Sequence, residues 1–214
     1  MLQSIGMDHS DWASENLQVI RTLMERSTQY RRALAPIMLA AGLLGIGAAV
    51  VTCFVELETN REFSLYWISV GVLATLTALL LVRRQALKED EEFWSLPTRR
   101  VSRAVLPPFL AGLLAGILYV ISPTALPESA WLLATAWLVL YGCALNAAGF
   151  FMKRGIKLFG WFFVLGGVAA AYLTQFRPQF QATETAHYLM GIFFGVLHLA
   201  CGIYLYTSEK KKAE

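Results

Sequence analysis

Apolar residues fall into six blocks along the chain, each closed by a short polar joint. The blocks run at about 33–55, 63–82, 104–121, 129–149, 156–173 and 187–206. A helix of about 20 residues, rising about 1.5 Å per residue, is long enough to cross the hydrocarbon core of a bilayer. The pattern predicts an all-α integral membrane protein with six transmembrane helices, its transmembrane domain covering residues 33–206. Residues 1–32 read differently. Ala13, Leu17, Ile20 and Met24 share one helical face, Arg21, Glu25 and Arg26 occupy the rest, and Asp11 suits the cap. This predicts an N-terminal amphipathic cytoplasmic helix. Residues 207–214 form a basic cytoplasmic tail.

Charge adds an orientation. The chain has 18 Lys and Arg against 15 Asp and Glu, a net charge of +3. Sixteen of the cations lie before the first block, between the second and third, between the fourth and fifth, or after the sixth; only Arg61 and Arg177 lie in the alternate joints. Cations accumulate on the cytoplasmic side of spans, so both termini are expected inside. Cations beside spans meet anionic lipid and do not form a nucleic-acid signature.

The composition, 57% hydrophobic and 15% charged, excludes an ordinary water-soluble domain, a disordered chain and a disulfide-rich secreted module. Cys53, Cys143 and Cys201 lie in or at the edge of apolar blocks without a CxxC pair and read as reduced thiols. The first apolar block is too long for a signal-peptide core and is expected to stay as an anchor.

Polar residues inside the blocks are the candidate chemistry. In the sixth, His187, Gly191, Gly195, His198 and Gly202 follow one another at steps of 4, 4, 3 and 4, which places them on one face. Gly191 and Gly195 form a GxxxG that admits a neighbouring helix. His198 falls near mid-membrane. It is either a neutral histidine bonded to a neighbour or a proton relay, a metal or haem ligand, or a substrate contact. In the fourth block Thr135, Gly142, Asn146 and Gly149 share a face, with Asn146 suited to bond helices together. His198, Asn146 and Tyr141 make a candidate intramembrane polar site. In the first block Gly42, Gly45, Ala49, Cys53 and Glu56 form a stripe. Glu56 and His187 are the candidate outer mouth, and Gly42, Gly45, Gly191, Gly195 and Gly202 the candidate packing positions. Trp67 and Trp131 read as part of an interfacial aromatic belt.

No HExxH, GxGxxG, Walker or GxSxG pattern occurs. No catalytic residue or metal site is assigned, no cofactor is expected beyond the candidate His198, and an enzyme is not the first reading. Arg26 and Arg31 of the arm, with Trp94, Arg99 and Arg100 between the second and third spans, are candidate contacts for a partner or lipid. Pro97 is expected to break the helix there, and Pro107 and Pro108 to open the third span.

Met24-Glu25-Arg26 with Tyr30-Arg31, Trp94-Ser95-Leu96-Pro97-Thr98-Arg99, Tyr141-Gly142, and Met190-Gly191 through Phe194-Gly195 to His198 together resemble a family of small six-span bacterial inner-membrane proteins. That family carries no assigned activity to transfer. Some members are encoded near winged-helix regulators, so the resemblance implies a signalling or stress role. The expected function is non-enzymatic: partner binding, assembly or sensing, with membrane lipids and a second copy or another membrane protein as partners, and no nucleic acid. The alternatives are a small transporter or channel with a polar path through Glu56, Asn146 and His198, and a redox or cofactor protein using His198.

Overall fold

The computed structural model describes residues 34–90, 92–122, 129–152 and 154–210, and every regular element among them is helical. The amphipathic arm, with Arg26 and Arg31, and the end of the basic tail lie outside the described residues. Helix α1 is described over Leu34–Val51, and α2 covers Asn60–Lys88, α3 Leu96–Ile121, α4 Ala130–Ala148 and α5 Arg154–Phe176. A continuous sixth helix then runs as α6 (Thr183–Met190), a π segment (Gly191–Leu197) and α7 (His198–Lys210). Among the described residues six helices are long and apolar enough to cross a membrane.

Local chemistry sets several boundaries. Thr59 and Glu62 open α2 with a reciprocal capping box: the Glu62 amide donates to the Thr59 hydroxyl at 3.2 Å and the Thr59 amide to the Glu62 carboxylate at 3.0 Å. Asp90, in the left-handed region at φ 51°, follows the end of the same helix. Pro97 does not break a helix as expected. It lies at the second position of α3, where a missing N–H leaves no bond unmade. That helix starts well before its apolar block and continues through Pro107 and Pro108. The apolar pattern marks where side chains turn apolar, whereas the backbone ladder extends past it into charged residues.

Helix α4 is the centre. It packs against α5, α3 and α6 and touches α2. Of its apolar stretch 44% is buried, against 6% for α2, which lies at the periphery. Helix α1 runs antiparallel to the sixth helix, so the first and last helices close the bundle. A methyl group built on Gly45 would stand 2.5 Å from the Phe194 carbonyl oxygen, and one on Gly195 2.8 Å from the Ile46 nitrogen. Gly42 meets the backbone of Leu199, Gly202 that of Leu39, and Gly191 the Ala49 methyl. All five candidate packing glycines therefore lie in one seam, where backbones approach to van der Waals contact.

Two apolar clusters fill the interior. Phe63, Trp67, Trp131, Leu133 and Met190 pack near the end that carries Glu56 and Glu58, here called the acidic end. Met38, Leu138, Ile156, Phe159 and Phe163 pack towards the other, basic end. The exterior is apolar as well: Leu80, Leu114, Phe162 and Leu165 are exposed. This is the inverse of a water-soluble bundle.

Candidate functional site

The sixth helix positions both described histidines, one in each cluster. His198 is 1% exposed. Its Nδ1 lies 3.0 Å from the carbonyl oxygen of Phe193, five residues earlier, and its Nε2 lies 2.7 Å from the Tyr141 hydroxyl of α4. A carbonyl only accepts, so in the neutral ring Nδ1 carries the proton and Nε2 accepts from Tyr141. Four rings enclose it. Phe159 and Phe163 meet it edge-on with centroids at 5.1 and 5.4 Å, Phe194 stacks at 5.9 Å, and Tyr141 itself lies at 5.4 Å. A metal or haem iron at Nε2 would have to displace the Tyr141 hydroxyl.

His187, at the start of the same helix, has the opposite tautomer. Trp67 of α2 donates its indole N–H to Nδ1 at 2.9 Å, so Nε2 carries the proton and donates to the Leu57 carbonyl at 3.2 Å. Phe63 packs edge-on against its ring at 5.0 Å. Trp67, expected in an interfacial belt, is instead buried and holds His187. The signal was present in the sequence, because Asn60, Phe63, Ser64 and Trp67 share one face of α2, and all four are buried.

The expected single face of the sixth helix is not formed. Gly191, Gly195, Leu199 and Gly202 face α1, while His198, one residue before Leu199, is turned towards α4 and α5. Asn146 does not join His198 and Tyr141. Its side-chain amide donates to the Gly142 carbonyl at 3.0 Å and lies against Gly160 of α5. Gly142, Asn146 and Gly149 thus line a second close seam, between α4 and α5. The candidate polar site reduces to the pair Tyr141 and His198.

Glu56 and His187, the candidate outer mouth, border the same cleft. With Glu58, Thr183, Glu184 and Tyr188 they line an open cleft of about 680 Å³ at the acidic end. Its wall is the irregular stretch after α1, strapped to α6 where Thr183 donates to the Glu58 carbonyl at 2.9 Å. Glu56, Asn146 and His198 therefore lie in three separate places: this cleft, the α4–α5 seam and the aromatic cage. At the basic end Trp94, Arg99 and Arg100 are exposed beside the start of α3, and Phe93 lies against Trp94 with centroids at 6.2 Å. Among the described residues no group of three or more His, Cys, Asp or Glu side chains is arranged to hold a metal ion. Compared with known family models, curated proteins and solved structures, the chain matches none.

Proposed function

We propose that this is a non-enzymatic integral protein of a bacterial inner membrane, with both termini cytoplasmic, acting by partner binding, assembly or sensing. The observation that carries the reading is the use made of polar side chains within the bundle. Tyr141 and His198 bond each other, Trp67 bonds His187, Ser64 donates to the Gly116 carbonyl at 2.8 Å, Trp137 to the Gly112 carbonyl at 2.8 Å, and Tyr66 to the Ala48 carbonyl at 2.7 Å. In hydrocarbon such groups need internal partners, and here they hold helix to helix. Chemistry with other molecules is then left to the ends.

At the basic end Trp94, Arg99 and Arg100 offer an aromatic and two cations, the residue types enriched where proteins or anionic lipid headgroups dock. The arm is expected to add to this surface. The test is a photoreactive amino acid placed at Trp94 or Arg99 in the native membrane. The expected result is a discrete protein adduct, either a second copy or a different membrane protein, that is lost on deleting residues 1–30. Adducts to lipid alone, together with a monodisperse protein unaffected by that deletion, would overturn the reading.

A further inference from the structure

We propose that the π segment of the sixth helix is a movable register element and that His198 is its lock. A π turn replaces i→i+4 bonding with i→i+5 bonding, so it holds a surplus residue; such turns recur at functional sites. Here the surplus falls in Gly191–Leu197, immediately before His198 and within the close seam with α1. If it slides past Ala200, within the first turn of α7, each residue it passes turns by about 100° and advances one place along the helix. His198 then takes the place that Leu199 now holds, against Gly42 of α1, and Leu197 enters the aromatic cage. Leucine and histidine have similar bulk, and each place keeps a backbone in the same position, so the close contact with Gly42 survives the exchange. The slid state is the minor one, because His198 gives up both of its bonds.

Two bonds hold the described register, and His198 makes both. The Phe193 carbonyl ties its ring back to the π segment, and the Tyr141 hydroxyl ties it to α4. The slide breaks both while leaving α6 and most of α7 in place, because the surplus residue moves and is not lost. His198 would thereby exchange its bond to α4 for contact with α1, giving a partner at either end two states to choose between. The inference concerns helix register alone and does not depend on the partner-binding reading.

Distances between nitroxide labels test it in frozen, detergent-solubilised protein, where the two states cannot average. Labels go on Ala200→Cys and Phe162→Cys, both exposed positions, with the native cysteines replaced by alanine. The expected result is one dominant distance in the parent and a second, several-fold enriched, in Tyr141→Phe and His198→Leu. Deleting Ile192, an exposed residue of the π segment, removes the surplus. The deletion variant should fold and give one distance with or without Tyr141→Phe. A single unchanged distance in both lock variants would overturn the proposal. So would a second distance that persists in the deletion variant, or a deletion variant that cannot fold.

Discussion

The two described histidines lie in one helix, eleven residues apart in sequence, and they solve the same problem in opposite ways. His187 is protonated at Nε2 and reaches outward, to the irregular stretch after α1 through Leu57 and to α2 through Trp67. His198 is protonated at Nδ1 and turns inward, to its own helix through Phe193 and to α4 through Tyr141. His187 borders an open cleft; His198 is sealed by aromatic rings. A buried histidine is thus no sign of a ligand site by itself. Both are buried, His187 at 6% exposed and His198 at 1%; what distinguishes the two is whether water from the cleft can reach the hole that loss of the ring leaves.

Replacement is the strongest way to break that comparison. His198→Ala should cost about 3–5 kcal/mol, because it opens a cavity and strands both the Tyr141 hydroxyl and the Phe193 carbonyl. Reversible unfolding in mixed micelles measures this, and a cost below that of His187→Ala would reverse the ranking. His187→Ala should cost about 2 kcal/mol, since the cleft admits water to the groups left behind. Limited proteolysis should then cut within residues 52–59 faster, a change that His198→Ala should not produce. The smallest effect belongs to Tyr141→Phe, about 1 kcal/mol, the ordinary worth of one side-chain bond between helices in lipid. Its ring contacts survive, so a loss as large as that of His198→Ala would mean the hydroxyl, and not the cage, holds the site.

Much of this architecture is legible in the sequence because lipid-length helices need long apolar runs, and six such runs are plain to see. The glycine seam is legible for a related reason: small residues at helical spacing on the first and last runs have few uses except close approach. The position of His198 is not legible. Spacing alone places it with Gly191, Gly195 and Gly202, but helix periodicity cannot say how far the neighbouring helices wrap around, and α4 and α5 claim the flank on which His198 lies. Nor does spacing reveal the π segment. Trp67 was misplaced because an aromatic near a span end suits the interface and the core equally, and only the face it shares with Phe63 and Ser64 decides. The start of α3 was misplaced because Pro97 can stop one helix or start the next, and both readings suit the residues around it.

The seam between α1 and the sixth helix also bears on how the chain is made. Gly42 and Gly45 meet partners that lie some 150 residues later in the sequence. During synthesis α1 emerges long before the sixth helix, and its small-residue face stays uncovered until that helix arrives. A ribosome that stops short of residue 190 releases a chain whose first helix has nothing to close against. Such a product leaves a GxxG backbone groove open to other helices, so the seam is closed only in a chain that has been made through its sixth helix.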